Sequence, residues 1–418
     1  MTTADTTARQ VIVNATLFDS PSGALRPHST IVIVGDRIAA VTQEPLQVDD
    51  ALRIDAQHHI VLPGLIDAHV HVVASSHDLV SLAQQPPSLV GAQSSQIMRH
   101  MLRRGFTTVR DAAGADFGLQ EAVARGLYEG PRLYIAGFPI SQTGGHADMR
   151  PKGVRTSGMF CSCAGLGLMG AIADGVGEVR RAVREQVRTG ANHIKIMAGG
   201  GISSPTDPLE GTQFSVEELR AAVEEAEAAN LYALAHAYSP RAVSRAVLAG
   251  VRSIEHGNLI DEATARLMKK HGTYFVPTLA TYAALAAEGQ RLGWSAEMLN
   301  KLQLVQNRGI EAVRICHAEG VPVVYGTDLL GHMHGQQNQE FVLRAPAQTA
   351  TEILQSATIV AARLMRQEAH IGQLAVGAYA DLLVVAGDPT ADTAVMAAPD
   401  QAIRLLMQAG RVVFSALT

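Results

Sequence analysis

The stretch Asp67-Ala-His69-Val-His71 sets two imidazoles two residues apart in a run that reads as a β-strand. Strand side chains alternate between faces, so His69 and His71 point one way with Asp67, while Ala68 and Val70 point the other. Two imidazoles on one face can reach a single metal ion, although the same spacing also describes two unrelated polar positions. Lys195, inside His193-Ile-Lys195-Ile-Met197, occupies a more demanding place. A lysine within an apolar strand is costly to bury unpaired. It needs either a carboxylate such as Asp67 or Asp111, or a lowered pKa that lets its neutral amine take up CO₂ as a carbamate able to bridge two cations. Two further histidines end apolar runs, His236 in Ala233-Leu-Ala-His236 and His256 in Ser253-Ile-Glu-His256. Asp328 ends Tyr325-Gly-Thr-Asp328 in the same manner.

Eight short apolar runs carry or flank these residues: Ile66–Val73, Thr107–Asp111, Arg132–Ile140, His193–Met197, Tyr232–His236, Arg252–His256, Tyr274–Pro277 and Val321–Gly326. Stretches rich in Ala, Glu and Arg separate most of them. Val216–Ala229 is the clearest helix, with Ser215 as N-cap and Glu217 and Glu218 in the acidic first turn. Alternating strands and helices imply a parallel sheet. Eight such units in about 300 residues match a (β/α)₈ barrel as well as an open doubly wound sheet. A barrel would gather all six side chains at the strand C-terminal ends, where barrel enzymes build their sites. Short β-rich runs also occur at both chain ends, among them Val11-Ile-Val, Thr30-Ile-Val-Ile-Val, Ala380-Asp-Leu-Leu-Val-Val and Arg411-Val-Val-Phe. They predict one composite β domain, of sandwich-like build, from residues 1–60 and 371–418, with the barrel over 61–370. The Gly-rich segment from Ser141 to Gly170, containing Cys161-Ser-Cys163, is long enough for a functional loop.

Hydrophobic residues make up 47% of the 418 and charged ones 17%, which excludes a disordered or fibrous chain. A formal charge of −5 asks for neither nucleic acid nor an anionic membrane, so a small-molecule partner is expected. The N-terminus has no basic segment followed by an apolar run, and no stretch approaches ~18 apolar residues. Three cysteines, an odd number in a chain this large, suit a reduced compartment. A cytoplasmic location is the expectation.

Taken in order, His69-x-His71, Lys195, His236, His256 and Asp328 resemble, residue for residue, the binuclear metal centre of the amidohydrolase superfamily with a carboxylated lysine. The resemblance covers nearly the whole chain, since Val61-Leu-Pro-Gly-Leu-Ile-Asp-Ala-His-Val-His and Gly377-Ala-Tyr-Ala-Asp-Leu-Leu-Val-Val are also similar to that superfamily's markers. The chain is most similar to the imidazolonepropionase-like and prolidase-like branch, through Thr108-Val-Arg110-Asp111, Thr143-Gly-Gly-His146-Ala-Asp148, Ile194-Lys195-Ile-Met-Ala-Gly-Gly-Gly201 and Ser253-Ile-Glu-His-Gly. That branch includes metal-dependent carboxypeptidases, Xaa-Pro dipeptidases and ochratoxin-hydrolysing amidohydrolases. His146-Ala-Asp148 departs from the more usual His-Gly-Asp.

The resemblance implies two divalent ions, Zn²⁺, one on His69, His71 and Asp328, the other on His236 and His256, with carbamylated Lys195 bridging. Water activated between them would attack an amide carbonyl, with Asp328 as base and then acid. His146 and Tyr238 are candidates for stabilising the carbonyl oxygen. A substrate ending in a carboxylate needs a cation or several donors. Arg110 and Arg150 are candidates by loop position, although Arg110 can equally pair with Asp111. His332 and His334 follow Asp328 closely and either line the substrate pocket or belong to a polar loop. Gly199-Gly-Gly201 lacks the lysine and spacing of a phosphate loop and is better read as backbone room beside metal or substrate. The expected activity is cleavage of N-acyl amino acids or peptides at the C-terminal residue, ochratoxin A included. Xaa-Pro dipeptides or a cyclic amide are the alternative substrates. Lys195 argues against a one-metal deaminase, and the complete ligand set argues against a non-catalytic scaffold. The family also implies a homo-oligomer.

Overall fold

The computed structural model describes residues 9–44, 46, 48–150, 168–202, 207–288, 291 and 293–417. Cys161-Ser-Cys163 lies outside the described residues. The chain divides into two compact units. One comprises Met1–Asp67, Met101–Thr108 and Gln348–Thr418; the other comprises Ala68–His100 and Val109–Ala347.

The first unit is built on an eight-stranded sheet from both chain ends. Its order is Arg411–Ser415, Ile403–Gln408, Leu382–Val385, Ile60–Pro63, Arg9–Asp19, Ala24–Val34 and Arg37–Thr42, with Ala51–Asp55 paired to Arg9–Asp19. Ile60–Pro63 joins the two ends, running parallel to Arg9–Asp19 at Thr16↔Ile60 and antiparallel to Leu382–Val385 at Leu62↔Leu383. Pairing is therefore continuous where two sandwich-like layers were expected. Ile12, Ile31, Ile33, Val61, Leu382, Val384 and Leu405 form its buried core, and a run such as Thr30-Ile-Val-Ile-Val becomes a strand because its β-branched side chains fit a half-buried pleated face.

The second unit carries the chemistry. Its main sheet has the order Ala171–Ile172, Ile140–Ser141, Ile194–Met197, Ala233–Ala237, Ser253–His256 and Tyr274–Val276, parallel throughout. Its central strands Ile194–Met197, Ala233–Ala237 and Ser253–His256 are buried end to end, as expected where helices cover a parallel sheet. A three-stranded sheet of Leu65–Val70, Phe106–Asp111 and Arg132–Ile135 supplies the remaining strand ends, and the unit boundary passes through its first two members. The expected eighth strand, Val321–Gly326, pairs more sparsely. It makes one parallel bridge, Phe275↔Val323, and its Tyr325 carbonyl accepts the Ala68 N–H on the other side.

Register sets the site. Met197 is paired with His236 and Ala237 with His256, so the strand ends bring Lys195, His236 and His256 to one rim. Val216–Ala228 starts as the sequence predicts, with Ser215 accepting from Glu218 N–H and the Glu218 carboxylate reaching back to the cap. Ser239 caps Pro240–Ala249 by accepting from Ala242 N–H, so the helix begins four residues after His236. Among the described residues no helix is long and apolar enough to cross a membrane.

Candidate metal centre and active site

One pocket contains His69, His71, Lys195, His236, His256 and Asp328, together with His146 and Tyr238. Each of the four strand-end histidines commits one ring nitrogen to a protein oxygen. His69 Nδ1 is 2.7 Å from Glu255 Oε2, His71 Nδ1 is 2.8 Å from the Ala113 carbonyl, His236 Nε2 is 3.0 Å from the Gly200 carbonyl, and His256 Nδ1 is 2.9 Å from Thr278 Oγ1. Such an anchor fixes the tautomer and leaves the opposite nitrogen as the donor to a cation. His69 Nε2 and His71 Nε2 lie 3.5 and 3.1 Å from Asp328 Oδ1. Donor atoms of His69, His256 and Asp328 all fall within 4.8 Å of one another. Burial holds the imidazoles of His69, His236 and His256 well below their ordinary pKa, and hence neutral, the state a metal requires. Burial also works against protonation of His71, but the Asp328 carboxylate outweighs it and raises that imidazole's pKa. Desolvation pushes the Asp328 carboxyl up, yet His69 and His71 more than compensate and keep it below the usual range. The donor set therefore fits divalent cations.

Lys195 is 2% exposed. Among the described residues no carboxylate lies within ion-pair distance of it, so neither Asp67 nor Asp111 compensates its charge. Burial, the largest cause, lowers its pKa to about 8, which gives a neutral, nucleophilic amine at mildly alkaline pH.

His146 stacks on His236 with ring centroids 4.2 Å apart, and its Nδ1 is 3.4 Å from Asp207 Oδ2. Gln213 ties the same loop, accepting from His146 N–H and donating to Asp207. The glycines before this loop provide close approach, for a Cβ on Gly201 would meet His146 Cε1 at 1.8 Å. Tyr238 stacks on His256 at 5.4 Å and its hydroxyl is 2.9 Å from that of Tyr282. Burial raises both phenols above their ordinary pKa, so both stay protonated donors.

The expected substrate cations are placed elsewhere. Arg110 does not line the pocket and does not pair with Asp111. It is fully buried, its guanidinium grips both oxygens of Glu255 at 2.9 and 2.8 Å, and its Nε donates to the Ala68 carbonyl. Its strand side faces the interior, where only a carboxylate can balance the charge. Asp111 instead accepts from Val72 and Ala115 N–H, and desolvation raises its pKa to about 6. Arg150 turns back onto Asp148, with Nε 2.6 Å from Oδ1. His332 is 64% exposed beside Glu288, and His334 donates to the Ala74 carbonyl; neither lines the pocket. Glu255, Thr278, Tyr282 and Asp207 have no counterpart in the expectations from sequence. Glu255 carries a signal, an acid inside an otherwise apolar strand one residue before a histidine. The others sit on loops or a helix, where spacing says nothing about the site.

The amidohydrolase family profile matches residues 60–413. Ochratoxinase from Aspergillus niger is 32% identical over 406 residues, 94% of this chain and 84% of that protein. Its crystal structure has a TM-score of 0.85 at 30% identity, covering 98% of this chain and 96% of that one. A prolidase solved with N-methylphosphonate-L-proline is 46% identical with a TM-score of 0.93, covering 98% and 100% of the two chains. This chain belongs to the amidohydrolase family. It is a metal-dependent hydrolase of amide bonds, and the family implies a (β/α)₈ barrel with an additional domain.

Proposed function

We propose that this chain hydrolyses N-acyl amino acids or dipeptides with an apolar acyl side, releasing the C-terminal amino acid. One observation carries this reading: four anchored imidazoles share a pocket with an apolar wall of Leu79, Met149, Leu168, Leu285, Trp294 and Leu330. Ochratoxin A, an N-acylated phenylalanine, suits such a wall, and cleavage would give phenylalanine and the isocoumarin acid. The relative from A. niger supports that choice.

His69, His71 and Asp328 would hold one divalent cation and His236 and His256 a second, both Zn²⁺, with Lys195 bridging as its CO₂-derived carbamate. Bound there, the cations lower the pKa of water toward neutrality and polarise the scissile carbonyl. Asp328 takes the water proton at Oδ2, the oxygen farther from His71, and returns it to the leaving amine. Tyr238 and His146 donate hydrogen bonds to the carbonyl oxygen as its charge grows. Val321–Gly326 closes the eight-stranded barrel in this reading, supported by its hydrogen bonds to Phe275 and Ala68.

A second reading, an Xaa-Pro dipeptidase, is favoured by the 46% identity to a prolidase. A panel setting ochratoxin A and N-acyl-L-phenylalanines beside Xaa-Pro dipeptides separates the two by kcat/KM. Metal analysis belongs with it: about two equivalents per chain are expected. Equal rates on free-carboxylate and amidated substrates would refute release of a C-terminal residue, and full activity after chelation would refute the metal mechanism.

A further inference from the structure

Four buried side chains link the metal cluster to the pocket wall. His256 Nδ1 lies 2.9 Å from Thr278 Oγ1, Thr278 Oγ1 lies 3.5 Å from Tyr282 Oη, and Tyr282 Oη lies 2.9 Å from Tyr238 Oη. We infer that Thr278 and Tyr282 are positioning residues that set the direction of this chain, so that the Tyr238 hydroxyl hydrogen is left for the substrate's carbonyl oxygen. The inference rests on the proposed roles of His256 as a ligand and Tyr238 as a carbonyl donor.

The direction follows from donor counting. An imidazole that offers Nε2 to a cation is neutral and carries its hydrogen on Nδ1. His256 therefore donates to Thr278 Oγ1. The Thr278 hydroxyl hydrogen is then directed at Tyr282 Oη, the acceptor in that contact. In isolation either phenol could donate to the other, but an incoming bond at Tyr282 Oη turns its hydrogen toward Tyr238 Oη. Tyr238 accepts, and its own hydrogen faces the pocket. All four groups are at most 3% exposed, so no bulk water competes for these bonds. Thr278 has φ +50°, a left-handed conformation that a β-branched residue rarely adopts, and it is held there immediately before the Leu279–Glu288 helix that carries Tyr282. The Tyr238 ring itself is fixed by its 18° stacking on His256. What the chain controls is the hydroxyl hydrogen, not the ring, so the effect belongs in kcat and not in KM.

The test compares Tyr238→Phe, Tyr282→Phe, the double variant, Thr278→Val and Thr278→Ser. Substrates are N-acyl-L-phenylalanine and Xaa-L-proline, and metal per chain is measured in each. Calorimetry gives the Kd of N-methylphosphonyl-L-phenylalanine, whose tetrahedral oxygen stands in for the developing oxyanion. Tyr238→Phe is expected to lower kcat about 100-fold, the scale of one lost oxyanion donor. Tyr282→Phe is expected to lower kcat about ten-fold, the scale of one ordinary hydrogen bond, with KM and metal content unchanged and weaker phosphonate binding. Thr278→Val should follow it and Thr278→Ser should recover, while the double variant should be no slower than Tyr238→Phe. A fully active Tyr282→Phe, losses that multiply in the double variant, or metal loss in Tyr282→Phe would each overturn the chain. A fully active Tyr238→Phe removes instead the reading of Tyr238 on which it rests. Should Thr278→Val fail to fold, the Tyr238 and Tyr282 cycle decides alone.

Discussion

Arg110 Nη2 donates to both carboxylate oxygens of Glu255 inside the protein, and the Glu255 oxygen that it holds at 2.8 Å also lies 2.7 Å from His69 Nδ1. Ser253 adds a hydroxyl to the other Glu255 oxygen. The carboxylate thus orients an imidazole of the proposed metal site, and the guanidinium sets the opposite charge beside it where water does not reach. Removing one partner leaves an uncompensated buried charge, which costs about 3–5 kcal/mol. Arg110→Met should lower the melting temperature sharply by differential scanning calorimetry. Glu255→Gln keeps shape and a hydrogen-bond acceptor but loses charge. Its metal affinity should fall about 10–100-fold by competition with a chelator, in line with lost outer-shell carboxylates. Unchanged metal affinity would show that Glu255 serves the fold alone.

Under the proposed carbamate, Lys195 would link pH to assembly of the site. Its pKa in the folded protein, about 8, lies below the ordinary lysine value of 10.5, so the neutral amine accumulates as pH rises through 8. Carbamate formation uses that neutral form. Metal-stripped protein supplied with Zn²⁺ and a fixed level of dissolved CO₂ should therefore recover activity faster at pH 9 than at pH 7. Lys195→Ala should lose most bound metal and turnover at every pH. Recovery independent of both CO₂ and pH would sink the carbamate.

Gly201 lets His146 lie flat against the backbone. An added Cβ would sit 1.8–2.5 Å from three atoms of the imidazole, so Gly201→Ala must displace the ring from its stack on His236. Misplacement by about 1 Å can cost on the order of 100-fold in rate. The variant is expected to keep its melting temperature within a few degrees while kcat falls by one to two orders of magnitude. A wild-type kcat would detach His146 from the chemistry.

Trp294 stands in the apolar wall with Leu285 and Leu330. Trp294→Ala should raise KM for aromatic acyl groups and leave an acetyl substrate nearly unaffected. A difference of about 10-fold corresponds to the 1–3 kcal/mol that pocket contacts supply in discrimination. Equal effects on both substrates would place Trp294 outside the acyl subsite.

Residue order and strand periodicity were enough to pick out His69, His71, Lys195, His236, His256 and Asp328 as candidate ligands, because polar residues at strand ends stand out inside apolar runs. The short strands at both chain ends were legible for a similar reason, since β-branched runs punctuated by turns carry a local signal. Partners across space carry none. That Arg110 turns to Glu255 and away from substrate, that Asp207 stands behind His146, and that Thr278 and Tyr282 join His256 to Tyr238 depend on contacts between elements 22 to 145 residues apart in several cases. The sparse pairing of Val321–Gly326 was equally beyond a propensity argument, because hydrogen bonding between strands is settled by where the neighbouring strand ends. Local chemistry named the candidate ligands; burial and register in the tertiary structure decided which nitrogen of each imidazole bonds a protein oxygen and which charges never reach the pocket.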